Sequence, residues 1–168
     1  PQIYHRAGSN DFIWPQRTIQ MQAEFHPDTG PGTTQTVSLV IVRPPLIVLH
    51  GIWSDATQAF SGFIKSFRAE ESGLVLFAPN YPNAISFADN APEVPRAIGN
   101  ARATLRARNF ACTRVDICAH SMGGVLSRIY AGRDDYWRPE NYHLGDIDRL
   151  ITIDSPHRGA IFADAVNG

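Results

Sequence analysis

The sequence predicts an α/β fold: a mostly parallel sheet with flanking helices, preceded by a short β-hairpin-rich segment. Two observations lead to this prediction. From residue 46 onward, short continuous apolar runs alternate with amphipathic helical stripes, a rhythm typical of parallel strands that are covered by helices on both faces. Before residue 45, apolar and polar residues alternate one by one, which is typical of strands with one exposed face.

The leading segment covers residues 1–44. Alternation runs over residues 18–25 and 34–42, and the linker between them is dense in turn residues, so the two runs predict a β-hairpin. Pro44 and Pro45 then end the pairing because proline has no backbone N–H to donate. Two interpretations stay open: these strands end an upstream β-rich module, or they are the first antiparallel strands of the main sheet.

Residues 45–168 predict the N-terminal portion of an α/β domain. The predicted strands cover residues 46–49, 74–78, 115–119 and 150–153. Helical stripes follow the first three of these strands, at Phe60, Phe63, Ile64 and Phe67, at Ile98, Ala101 and Leu105, and at Met122, Val125, Leu126, Ile129 and Tyr130. The polar residues 132–147 predict a loop. Strands that alternate with helices predict right-handed parallel crossovers.

Composition excludes several classes of partner. The formal net charge is -1 with 18% charged residues, so no electrostatic attraction to nucleic acid is predicted. No apolar stretch approaches the ~20 residues that a transmembrane helix requires. Cys112 and Cys118 would lie roughly 20 Å apart on an extended chain, too far for a disulfide, so we interpret both as small apolar fillers. Oligomeric state is not indicated.

The segment Ala119-His120-Ser121-Met122-Gly123-Gly124 lies between a predicted buried strand and a predicted helix. A nucleophile elbow requires this setting, because the sharp strand-to-helix turn exposes the serine Oγ. Small residues two positions before and after the serine allow the turn to close; here they are Ala119 and Gly123. The alternative reading, a serine that caps a helix, is common, but the strand–turn–helix context favours a nucleophile.

A second motif, His50-Gly51-Ile52-Trp53, follows the first buried strand. Since parallel strands direct their carboxyl ends to one crevice, this loop and the elbow are expected to face each other. An oxyanion hole needs two converging backbone donors. We predict the N–H groups of Ile52 and Met122, with Gly51 permitting the tight turn.

Residues 45–53, 115–124 and 150–159 together resemble α/β-hydrolase lipases and esterases. The most similar subset has an A-H-S-M-G-G elbow and a T-P-H-x-G-like turn, where this chain has Ser155 in place of the usual threonine. The resemblance implies hydrolysis of small-molecule or lipid carboxylic esters through an acyl-enzyme on Ser121, without a metal or other cofactor. It also implies supporting roles for His50, Gly51, His120 and Gly123.

The family's chain order is serine, then Asp or Glu, then histidine. Residues 155–168 leave no room for both partners, so the acid and the histidine are expected beyond Gly168. The 168-residue chain alone is therefore predicted to be inactive. Asp154 and His157 lie in the turn to which the resemblance assigns a supporting role.

Other functions remain open at this stage. An acyltransferase or a phospholipid or glycolipid deacylase would use the same elbow, and a non-catalytic remnant would bind a ligand or partner. The β-rich start also fits a surface-anchoring module, which would suit a secreted or envelope protein, although the sequence does not establish the compartment. Four aromatic residues line either an acyl-binding cleft or the core: Trp53, Phe60, Tyr81 and Trp137.

Overall fold

A computed structural model describes residues 16–69 and 75–159. Within them, a parallel sheet of four strands has the spatial order β4-β3-β5-β6. Its strands are β3 (Leu46–Leu49), β4 (Leu76–Phe77), β5 (Val115–His120) and β6 (Ile147–Ile153). The predicted α/β class is confirmed. Residues 1–15 of the predicted leading segment, residue 74 of the predicted second strand and residues 160–168 lie outside the described residues.

Helices cover both faces of this sheet, as the predicted alternation requires. They are α1 (Ala56–Ala69), α2 (Phe87–Asn90), α3 (Glu93–Arg106) and α4 (Met122–Ala131). On one face, α3 and α4 bury Ile47 and Ile117 together with their own Ile98 and Leu126. On the other face, α1 packs against alternate residues of the same strands, which form a second cluster: Leu46, Val48, Phe60, Ile64, Leu76 and Cys118. Both cysteines are buried and unpaired, as expected for apolar fillers.

The predicted hairpin is a separate antiparallel ribbon of β1 (Gln16–Phe25) and β2 (Thr33–Val42). Its register pairs Met21 with Val37 and Ile19 with Leu39. One ribbon face is therefore apolar, and Met21, Val37 and Phe25 on it are exposed. In the described part of the chain this ribbon pairs with no strand of the main sheet, and the boundary near residue 44 remains a prediction.

Three parts of the chain differ from the predictions. Strand β6 begins at Ile147, three residues earlier than predicted. Its residues alternate in burial, and the charged residues Asp148 and Arg149 interrupt the continuous apolar run from which the strand was predicted. The predicted loop before it contains two short 3₁₀ turns, Asp134–Tyr136 and Pro139–Asn141. The short helix α2 was not predicted either; the Ser86 side chain caps it by accepting from the N–H of Asp89.

None of the helices in residues 16–69 and 75–159 combines the length and apolarity needed to cross a membrane.

Candidate active site

Ser121 lies at the junction of β5 and α4 with φ 51° and ψ −120°. A positive φ is costly for a residue with a Cβ, so the surrounding structure must impose it. Two backbone hydrogen bonds fix the turn: Ser121 N donates to Ile153 O at 2.9 Å, and Gly124 N donates to Ser121 O at 3.1 Å. Ser121 therefore lies in a strained turn between a strand and a helix.

Close packing requires a glycine at position 123, two residues after Ser121. A Cβ added at Gly123 would lie 2.6 Å from Leu49 O and 2.9 Å from His50 O. Both oxygens belong to the backbone at the end of β3, which cannot rotate away as a side chain would. Glycine at this position therefore allows the first turn of α4 to lie directly against the end of β3.

The loop after β3 approaches Ser121. A Cβ added at Gly51 would lie 2.7 Å from Ser121 Cβ and 3.1 Å from Ser121 Oγ. The backbone adjacent to Ile52 therefore passes directly beside the serine. Met122 is buried and is the first residue of α4, so its N–H has no partner within the helix. These positions are compatible with the two predicted oxyanion donors.

His50 is fully buried, and both of its ring nitrogens have partners. Its Nε2 accepts from Tyr81 N at 3.4 Å, and its Nδ1 lies 3.0 Å from Gly51 O. Since a backbone N–H only donates and a carbonyl only accepts, Nδ1 carries the proton in a neutral ring. Burial lowers the pKa of His50, outweighing the hydrogen bond to Gly51 and the charge of Asp55. This imidazole orders the loop and has no free nitrogen to accept a proton from Ser121.

Three residues that follow β4 hold this loop in place, and the sequence did not predict that role for them. The Tyr81 ring stacks on His50 with centroids 4.0 Å apart, and its hydroxyl donates to His50 O. Asn80 Oδ1 accepts from Ala56 N at 2.9 Å, and Asn83 Nδ2 donates to Ser54 O. Of these residues, only Tyr81 was singled out from the sequence, as a residue of either an acyl-binding cleft or the core. Two asparagines beside a tyrosine in such a turn were the available signal.

Neither His157 nor His120 makes a hydrogen bond to Ser121 in the part of the chain that the structure describes. His157 Nε2 lies 3.1 Å from Thr152 Oγ1. His120 is partly buried, and its Nδ1 is enclosed without a hydrogen-bond partner among the residues that the structure describes. No hydrogen bond joins Ser121 Oγ to a histidine in residues 16–69 and 75–159.

The four aromatic residues separate into two pairs. Phe60 and Tyr81 are buried in the core, which fits the alternative that they serve packing. Trp53 and Trp137 are exposed. Trp53 lies in the loop after β3 with φ 53°, whereas Trp137 packs edge-on against Tyr136 ahead of β6. Of the four, only Trp53 is exposed in the loop that approaches Ser121.

The described residues contain no group of three or more histidine, cysteine, aspartate or glutamate side chains arranged to hold a metal ion.

Comparison with known proteins places this geometry in context. The family model described as a PGAP1-like alpha/beta domain matches residues 82–166, about half of the chain. The crystal structure of Bacillus licheniformis lipase BlEst2 in its mature form is similar, with a TM-score of 0.52 and 19% identity over 90% of this chain. The propeptide form of the same lipase gives a TM-score of 0.51 and 21% identity over 74% of this chain. A search of curated proteins gives no match.

These matches show the fold. It is a partial α/β-hydrolase fold, because the chain covers 52% of the mature lipase chain and 25% of the propeptide form. At this level of identity the likeness concerns the architecture of the sheet and helices.

Proposed function

The chain belongs to the family of PGAP1-like alpha/beta domains, and from this premise we propose that it carries the nucleophile of a serine hydrolase that acts on carboxylic esters. The observation that carries the proposal is the backbone of Ser121. This residue has φ 51° between β5 and α4, with Gly51 of the neighbouring loop almost in contact with its side chain. Such strain persists only where other contacts impose it.

The proposed chemistry is acyl transfer in two steps. Ser121 Oγ attacks the ester carbonyl, its proton passes to a base, and the carbonyl oxygen becomes an oxyanion. The N–H groups of Ile52 and Met122 stabilise that oxyanion, supported by the positive end of the α4 dipole. The base then protonates the leaving alcohol, and water attacks the acyl-enzyme to release the acid and regenerate Ser121.

The base is proposed to come from a part of the protein beyond Gly168. Both ring nitrogens of His50 make hydrogen bonds, and His157 makes a hydrogen bond to Thr152. Neither histidine is therefore available as the base, which supports a base from elsewhere in the protein. Without a base within hydrogen-bond reach, a serine hydroxyl is a weak nucleophile. The 168 residues alone are therefore expected to show little or no esterase activity.

The test uses the enzyme encoded by the complete gene and p-nitrophenyl esters of increasing acyl length. Replacement Ser121→Ala is expected to lower kcat by about 10⁶-fold, as for nucleophiles that act together with a base. Ser61→Ala, an exposed serine on α1, is the matched control and should behave as wild type. Equal turnover by wild type and Ser121→Ala would refute the proposal.

Two other functions use the same geometry. An acyltransferase or lipid deacylase would form the same acyl-enzyme, and adding an alcohol acceptor to the assay distinguishes transfer from hydrolysis by its product. A non-catalytic remnant would show no turnover in the complete protein. The close contacts of Gly51 with Ser121 and of Gly123 with the end of β3 favour an enzyme over a remnant.

A further inference from the structure

The first turn of α4 contains a second glycine, Gly124, which lies against a side chain of the turn after β6. Gly124 is buried, and a Cβ added to it would overlap Ser155 Oγ and lie 2.8 Å from Ser155 Cβ. The side chain of Ser155 therefore occupies the space that a side chain at position 124 would need. Because Gly123 contacts the end of β3, two neighbouring strands hold the start of α4 from different sides.

Ser155 is connected to both of the backbone hydrogen bonds that fix Ser121. One of them runs from Gly124 N to Ser121 O, and the other runs from Ser121 N to Ile153 O. Ser155 Oγ lies against Gly124 and donates a long hydrogen bond, at 3.5 Å, to Ile153 O. A carbonyl oxygen has two lone pairs, so Ile153 O can accept from both serines. The Ser155 side chain thus bridges the two residues to which the backbone of Ser121 is bonded.

The turn that carries Ser155 is closed by its own hydrogen bonds. His157 N donates to Ser155 O at 2.8 Å, and His157 Nε2 lies 3.1 Å from Thr152 Oγ1 across the turn. Pro156 has a fixed φ directly after Ser155. Because these features hold the backbone of the turn, the Cβ of Ser155 keeps its place beside Gly124 even when the hydroxyl rotates.

We propose that Ser155 is a positioning residue for Ser121, an inference that rests on the proposed function. Its side chain fills the space beside Gly124 and sets the distance between the first turn of α4 and β6. It thereby keeps Ser121 Oγ where it can attack a carbonyl whose oxygen faces the proposed oxyanion donors. In this role Ser155 neither touches the substrate nor takes a proton. Geometry matters here because a displacement of about 1 Å lowers turnover by about 10²-fold.

Removal of the hydroxyl is the first test. In the complete enzyme, Ser155→Ala leaves a gap beside Gly124 and removes a donor to Ile153 O, so kcat should fall by about 10-fold with little change in KM. Ser155→Thr, which keeps a hydroxyl, should recover most of the kcat that Ser155→Ala loses. Ser61→Ala, at an exposed serine of α1, is the matched control.

A purely structural role for Ser155 predicts a different result. It would lower the thermal midpoint and the amount of folded Ser155→Ala, while kcat per active site, titrated with a fluorophosphonate, would stay at the wild-type value. The positioning role predicts the reverse. Ser155 is only half-buried, so the thermal midpoint should change little while kcat per titrated site falls.

A pair of substitutions tests the contact itself. Gly124→Ala places a Cβ against the fixed Cβ of Ser155, so α4 must shift and kcat should fall by about 10²-fold. Ser155→Gly removes both close atoms and leaves Thr152 Cγ2, at 3.0 Å, as the nearest neighbour of the added Cβ. The double variant Gly124→Ala/Ser155→Gly should therefore regain part of the kcat that Gly124→Ala loses. Gly62→Ala, at a glycine of α1 with open space around it, is the matched control.

The positioning role and the proposed function fail in different ways. Wild-type kcat in Ser155→Ala, in an enzyme that still depends on Ser121, would overturn the positioning role and leave the proposed function intact. A double variant that is no faster than Gly124→Ala would also overturn the positioning role. Turnover that is insensitive to Ser121→Ala would instead overturn both.

Discussion

Polar side chains at the two ends of the parallel sheet differ in how many hydrogen-bond partners they have. Just before the amino end of β6, the carboxylate of Asp146 is almost fully buried and receives hydrogen bonds from Arg102 at 3.0 Å, Arg138 at 2.6 Å and Asn141 at 3.3 Å. The hydroxyl of Tyr130 donates to the same carboxylate. This cluster connects α3, α4 and the loop before β6 to the residue that immediately precedes that strand.

At the carboxyl end, polar groups lie close together with few partners. In the described portion of the chain, the side chains of Ser121 and Asp154 make no hydrogen bond, and the buried Nδ1 of His120 has none. Saturated polar groups stabilise a fold, whereas unsaturated ones on strained backbone are typical of sites that bind or react. We therefore assign architecture to the amino end and chemistry to the carboxyl end.

The largest expected effect on stability comes from removing Asp146, the buried acceptor at the centre of this cluster. Asp146→Ala leaves two arginines and a tyrosine without their buried acceptor, and the expected loss in the free energy of unfolding is about 3–5 kcal/mol. Urea denaturation of the complete protein measures it. The exposed pair of Arg133 and Asp135 provides the control, because water screens it and Asp135→Ala should therefore lower the free energy of unfolding far less. Equal losses in the two variants would contradict the architectural assignment.

A smaller effect comes from forcing the elbow away from β3. Gly123→Ala places a Cβ within 2.6 Å of Leu49 O, and overpacking of this kind costs about 1–3 kcal/mol. Because the displaced turn also carries Ser121 and Met122, esterase activity should fall by more than this stability loss explains. Activity and a serine-reactive fluorophosphonate probe, both measured on folded protein, check this. Wild-type labelling in Gly123→Ala would show that the contact does not position the nucleophile.

His50 should make the free energy of unfolding depend on pH. Its folded pKa is lowered by burial, so the unfolded chain binds more protons. The stabilisation is complete above the unfolded pKa of about 6.5 and declines as pH falls below it, by at most about 1.4 kcal/mol per pH unit. Urea titrations between pH 5 and 8 should show a shallower slope in His50→Asn than in wild type. Identical slopes would mean that this imidazole takes up a proton without cost in the fold.

The smallest effect is a stabilisation. A Cβ added at Gly99 in α3 meets no atom within 4 Å, so Gly99→Ala should raise the free energy of unfolding by about 0.5–1 kcal/mol through helix propensity. Thermal unfolding measures the change. Gly123→Ala should destabilise the protein because a Cβ there meets the backbone, whereas Gly99→Ala should not. A loss of stability in both variants would contradict this distinction.

Much of the fold was predictable because local pattern carries it. The continuous apolar run of β3 and the helical stripe of α4 each reflect burial on particular faces, and both were predicted with nearly correct bounds. The start of β6 was not predicted, because Asp148 pairs with Arg114 of another segment. That pairing removes the cost of placing charged residues in an edge strand, and it is invisible to a local window.

The candidate site divides in the same way. Ser121, Gly123 and Gly51 were predictable, because a turn that excludes side chains requires small residues at fixed spacing. Tyr81 and Asn83 were not, since they act on a loop about 30 residues away in the chain.

By itself, then, the sequence determined the alternation of strands and helices, the position of the elbow serine and the glycines around it. These depend on periodicity and on steric limits that act over a few residues. The tertiary structure decided which polar groups have partners: the two hydrogen bonds of the His50 ring and the buried ion cluster at Asp146. Each of these depends on hydrogen bonds and charges between distant segments, whose energies are set by burial and geometry and have no local signature in the chain.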